Sequence, residues 1–164
     1  LGEPGLMNTV EQNRKDFVAF VRKQLNKCGI KLNLRASKKH LDGDYGMFCE
    51  PDHGAELCVA SGMSRDKFFH TLAHEYVHFL QWFADDPLYR ASRDDARDYY
   101  ALEKVTEESA LEILDQWGLI PESGQDRIRE SSEKYLCSVF VRVPSVRVSR
   151  KPLPYKGIKN VKKT

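Results

Sequence analysis

The stretch Thr71-Leu72-Ala73-His74-Glu75-Tyr76-Val77-His78-Phe79-Leu80 decides how the rest of the chain is read. Around it Phe68, Phe69, Leu72, Ala73, Tyr76, Val77, Leu80 and Phe83 recur at helical spacing, and Ser61-Gly62-Met63-Ser64 supplies a helix start, which predicts a helix over about 65–84. Residues four apart share a helix face. His74 and His78 can therefore offer ring nitrogens to one Zn²⁺ while Glu75 reaches a water in an open coordination position. With 5 His in 164 residues, about 0.01 chance matches to His-Glu-x-x-His are expected, so the motif is a fairly specific signal. The competing reading is a buried helix whose two histidines only hydrogen-bond. His70, one turn before His74 on the same side, reads as a polar or supporting residue of the site.

A catalytic zinc takes three protein ligands and a water. No histidine follows His78, and Phe79-Leu80-Gln81-Trp82-Phe83-Ala84 lacks the glycine and third histidine of the metzincin pattern, which leaves a downstream carboxylate or Cys137. A helix is predicted from about Arg93 to Trp117, stopped by Gly118. At about 100° per residue, Ala96, Tyr99, Thr106, Ala110, Leu114 and Trp117 fall within about 60° of Glu103. Glu107 lies about 40° to the side, whereas Glu108 and Glu112 fall about 140° and 180° away. A carboxylate inside an apolar stripe is costly unless a cation or donors compensate it. Glu103 is thus read as the third ligand and Glu107 as the acceptor that orients a ligand histidine. The reverse assignment stays open on the sequence alone.

His-Glu-Tyr-Val-His followed some 25 residues later by Leu-Glu-Lys-Val-Thr-Glu-Glu-Ser-Ala-Leu-Glu-Ile-Leu resembles the gluzincin-type zinc metallopeptidases, especially the small bacterial and phage peptidases related to the ImmA/IrrE group. The resemblance covers about residues 30–120 and extends more weakly to the Tyr135–Tyr155 region. It implies a minimal zincin-like fold, with a short, mostly antiparallel sheet packed on the motif helix and a glutamate-bearing helix beside it. It also implies a glutamate ligand on the following helix with a polar or acidic residue four positions later, the spacing of Glu103 and Glu107. No helix-turn-helix or other regulatory domain is visible, so repressor cleavage is not implied.

The remaining chain suits one α+β domain. A first helix is predicted over about 9–28, opened by a capping box at Asn8 and Glu11 and closed by Gly29. Ile30–Leu34, Tyr45–Cys49 and Glu56–Ala60 read as three short strands, separated by turn-forming segments in which His40 and His53 are expected to face solvent. Asp85-Asp86-Pro87 ends the motif helix and leads into a connection reaching about Ser92; a last helix is predicted over about 125–140. Beyond Val143 the prolines at 144, 152 and 154 interrupt a basic run, predicting an extended or partly disordered tail over 144–164. Leu1 to Leu6 read as residue ahead of a native start at Met7, which places the domain at 7–143.

At 41% hydrophobic, with no apolar run approaching the roughly 18 residues of a membrane span, the chain reads as soluble, without a membrane partner. No signal peptide is visible, which suggests a cytoplasmic protein. Cys28, Cys49, Cys58 and Cys137 fall in no paired spacing and read as reduced thiols, although a Cys49–Cys58 bridge is geometrically conceivable. Of the 26 Lys and Arg, 9 lie in residues 134–164, which contain no acid. Such a tail can dock on the acidic body, stay solvated, or engage nucleic acid or an acidic partner. The reading that absorbs most of these features is a zinc metallopeptidase acting on a protein or peptide, with one Zn²⁺ on His74, His78 and Glu103 and with Glu75 as general base. Glu56–Ala60 is taken as the edge strand that aligns the substrate, and Tyr135, Arg142 and Tyr155 as candidate donors to the transition state. The rival reading is a zinc-stabilised binding or regulatory module without turnover.

Overall fold

In the computed structural model, which describes residues 9–149 (backbone alone from 144), the chain is an α+β domain of five helices and one three-stranded sheet. The first helix, α1 (Val10–Asn26), buries Phe17, Val21 and Leu25 along one stripe. Its cap is not the expected Asn8, which lies outside the described residues. Thr9 takes that place, its hydroxyl accepting from the Gln12 N–H at 3.1 Å. Glu11 is engaged elsewhere, accepting from Arg65 at 3.0 Å.

The strands are β1 (Lys31–Ala36), β2 (Gly46–Cys49) and β3 (Glu56–Ala60), close to the expected spans. Their order is β1-β3-β2, with β3 parallel to β1 and antiparallel to β2. Two expectations are corrected here. The sheet is mixed rather than mostly antiparallel, and Glu56–Ala60 is the central strand rather than an edge. The cause is the length of the connection: only very short turns force neighbouring strands to pair antiparallel. Residues 37–45 are long enough to carry β2 across to the far side of β3. The composition of β3 suits the centre, since Leu57, Cys58, Val59 and Ala60 are all fully buried, two on each face.

The motif helix α2 (Arg65–Phe83) starts at Ser64, whose hydroxyl accepts from the Lys67 N–H, and packs under β2 and β3. Phe48, Leu57, Val59, Phe69, Leu72 and Val77 join Phe17 and Val21 in the main core. The predicted connection after α2 contains a short helix, α3 (Pro87–Ala91). Asp86-Pro87, read as a stop, is also a start: the Asp86 carboxylate accepts from the Leu88 N–H at 2.9 Å, and proline suits a first helical position. Tyr89 on α3 donates to Glu50 Oε2 at 2.9 Å, and Arg93 pairs with the same carboxylate, tying the end of β2 to this corner.

The glutamate helix α4 (Ala96–Trp117) begins at Asp95, which accepts from the Arg97 and Asp98 N–H groups, and ends at Gly118 with φ of 63°, the left-handed conformation expected there. The last helix, α5 (Glu122–Ser149), is longer than predicted. It continues through Pro144, which lacks the N–H that would bond the carbonyl of residue 140 but does not end the helix. The tail is therefore not extended over 144–149; the rest of it, including Tyr155, lies outside the described residues. Among the described residues, no helix is long and apolar enough to cross a membrane.

One contact fixes how closely the sheet approaches α2. A Cβ on Gly46 would stand 2.7 Å from Thr71 Cγ2 and 2.8 Å from Glu75 Cγ, closer than side chains pack, so β2 rests directly on the motif helix because residue 46 has no side chain. Gly46→Ala is expected to cost about 1–3 kcal/mol through overpacking. Denaturant unfolding measures this, and an unchanged midpoint would show that β2 is not held against α2.

Candidate metal centre

The helical register of α2 and α4 brings five titratable side chains into a buried cluster. His74, Glu75 and His78 on α2, and Glu103 and Glu107 on α4, are all buried, while Glu108 and Glu112 are exposed as the register predicts. His74 Nε2 stands 3.4 Å from Glu103 Oε1, His78 Nε2 stands 3.0 Å from Glu103 Oε2, and the two Nε2 atoms are 3.2 Å apart.

The outer nitrogens of both rings are already committed. His74 Nδ1–H donates to Glu107 Oε2, and His78 Nδ1–H donates to Gln81 Oε1 at 2.8 Å. With both Nδ1 atoms protonated, neutral rings would point two Nε2 lone pairs at each other and at a carboxylate. Such a convergence is repulsive without a cation among the three groups. The spacing also suits one: ligands about 2.0–2.1 Å from a tetrahedral Zn²⁺ lie about 3.3 Å from one another. Glu103 Oε2 faces His78 Nε2, which in the neutral ring presents a lone pair rather than a donor, so a cation between them would satisfy both. His74, His78 and Glu103 can therefore hold a metal.

Without a metal the same geometry holds a proton. Burial works against a charged imidazole at His74, but Glu103 and then Glu107 outweigh it and carry the ring's pKa up to about 10. Burial likewise disfavours the Glu103 carboxylate, yet His74 and His78 hold it well below the usual range. Glu107 is lowered for the same reason, burial being outweighed by His70 and His74.

Supporting groups surround the cluster. His70 Nε2 lies 3.0 Å from Glu107 Oε1, so it reaches the cluster through Glu107 rather than at the histidine pair. Ser132 Oγ on α5 donates to the same oxygen at 2.5 Å, and Gln81 Nε2 donates to Thr106 Oγ1 at 2.9 Å. Gln81 and Ser132 were not singled out from the sequence. Gln81 had a signal, a polar residue three positions after the second histidine of the motif; Ser132 had none, because its place depends on how α5 docks. Of the two candidate donors among the described residues, Tyr135 reaches the cluster and Arg142 does not. The Tyr135 hydroxyl donates to Glu103 Oε1, and burial, then Glu103, keep it protonated well above the usual phenol range. Arg142 is exposed, its Nε donating to the Ser138 carbonyl, and Tyr155 is outside the described residues. Cys137 is exposed and not a member of the cluster.

Glu75 stands apart. Its side chain is fully buried, neither carboxylate oxygen has a hydrogen-bond partner, and it lines a cleft of about 140 Å³ together with Tyr45, Lys67, Thr71, His74 and Tyr135. No family model, no curated protein and no solved structure matches the chain.

The network predicts a measurable asymmetry along α4. Removing one member of a buried ionic cluster typically costs about 3–5 kcal/mol, because its partners stay buried and uncompensated. Glu107→Ala should lose that much when unfolded by denaturant in the presence of a chelator. Glu108→Ala and Glu112→Ala should stay within about 0.5 kcal/mol of the parent. Equal stability of all three would mean that Glu107 is not coupled to the histidines.

Proposed function

We propose that the chain is a zinc-dependent peptidase of gluzincin type, with His74, His78 and Glu103 as the metal ligands and Glu75 as the general base. The observation that carries this reading is the state of Glu75. A carboxylate buried without a single hydrogen bond is costly, and a purely structural zinc site, normally closed by four protein ligands, has no use for it. Zn²⁺ held there would act as a Lewis acid, making a water acidic near neutral pH and polarising a carbonyl.

The chain's own groups divide the remaining work. Glu107 and Gln81 fix the His74 and His78 rings through Nδ1, so that both present Nε2. Glu75 takes a proton from the attacking water on one of its unpartnered oxygens and returns it to the leaving amine. Tyr135, held protonated at the rim with its O–H on Glu103 Oε1, would have to give up that bond to donate to charge developing on the carbonyl oxygen. The sheet supports a peptide substrate: β2 is an edge strand, Gly46 lies against Glu75, and an extended peptide could add along that edge. A cytoplasmic site of action fits four cysteines that no disulfide joins.

Two measurements test the reading. The purified protein should bind about one zinc tightly at this centre; Glu103→Ala should abolish tight binding, while Glu107→Ala should weaken it by roughly 10 to 100-fold. Competition with a chelator reads both, and the opposite order would exchange the two roles. Glu75→Gln should keep its zinc and lower peptide hydrolysis by about 10² to 10⁴-fold. Undiminished turnover would remove Glu75 from the chemistry, and zinc binding without any hydrolysis by the parent would favour the binding-module reading.

A further inference from the structure

The face of the sheet turned away from α2 carries a second set of donor atoms. Along β3 the side chains of Leu57 and Val59 enter the main core, whereas Cys58 and Ala60 point outward into a separate small cluster with Ala36, Leu41, Met47 and Cys49. Glu56 shares that outer face, with a side chain 17% exposed. Its Oε1 lies 3.2 Å from His40 Nε2, and its Oε2 accepts from Asn33 Nδ2 on β1 at 3.1 Å. His40 belongs to the connection between β1 and β2, where its N–H donates to Ser37 Oγ and the neighbouring Leu41 is fully buried.

The donor atoms of His40, Glu56 and Cys58 all lie within 4.8 Å of one another. One imidazole, one carboxylate and one thiol make a set that suits borderline transition ions, and not Ca²⁺ or Mg²⁺, which take oxygen ligands. Asn33 already orients the carboxylate from behind, as supporting residues do at metal sites. Glu56 and Cys58 are fixed on the central strand, while His40 is 49% exposed on a turn and can close the remaining distance with its solvent side open for entry.

We propose that His40, Glu56 and Cys58 form a second metal site, for Zn²⁺ or a similar divalent transition ion, which fastens the 37–45 connection to the sheet. His40 faces solvent as expected, and the proposal gives its ring nitrogen a ligand role besides. The site does not depend on the peptidase reading, but it bears on the same cleft. The connection it fastens ends at Tyr45, which lines the cleft, and passes directly into Gly46 against Glu75.

Co²⁺ is the probe, titrated into the metal-stripped full chain. A cobalt ion on His74, His78 and Glu103 has no sulfur ligand, whereas one on Cys58 gives a near-ultraviolet thiolate-to-cobalt charge-transfer band. The parent should show that band at one equivalent beyond the first centre. Cys58→Ser should remove it, and His40→Ala, a change at an exposed side chain that leaves the core intact, should weaken the band's titration by more than the roughly 10 to 100-fold that loss of a supporting partner costs. Absence of the band in the parent overturns the site. So does a band unchanged in either variant, since it would then arise from Cys28, Cys49 or Cys137. Loss of metal at His74 and His78 alone would leave the band in place, which separates failure of one centre from failure of the other.

Discussion

Two carboxylates buried in the apolar stripe of α4 are the constraint on which the rest of the structure depends. Glu103 and Glu107 are almost wholly withdrawn from water, and each would be prohibitive without cations or donors against it. The compensation comes from α2, where three histidines one turn apart face them, and from α5, which adds Ser132 and Tyr135. The packing of α2 against α4 is therefore as much electrostatic as hydrophobic. Each helix carries groups that are tolerable in the interior only because the other is there.

The same economy explains the sheet. A three-stranded sheet is a small structure, yet it covers α2 closely enough for Gly46 to touch the side chains of Thr71 and Glu75. Water is thereby kept from Glu75 on the side of β2, and the cleft is left to open between α2 and α5. The Glu50 carboxylate, gripped by Tyr89 and Arg93, anchors the far end of β2, so the strand is held at both ends.

Much of the centre was legible in the sequence because it is written in helical periodicity. A spacing of four residues places His74 with His78, and a 100° advance per residue separates Glu103 and Glu107 from Glu108 and Glu112 with no knowledge of tertiary structure. What was illegible depends on contacts distant along the chain. The position of β3 at the centre of the sheet follows from where residues 37–45 travel, and nothing local marks the route. Ser132 looks like any serine on an amphipathic helix until α5 docks. The short α3 was missed for another reason: Asp86-Pro87 is both a terminator and an initiator, and only the downstream packing of Tyr89 decides that a new helix begins there.

The dependence of Glu103 and Glu107 on α5 has a consequence for the order in which the molecule comes into being. The residues proposed to hold the metal and move the proton all lie before position 108, and a growing chain presents them well before Ser132 and Tyr135 are synthesised. α5 supplies one hydroxyl donor to each of the two carboxylates and one wall of the cleft. A chain that ends before α5 would carry His74, Glu75, His78, Glu103 and Glu107 but lack the wall of the cleft that Ser131 and Tyr135 supply.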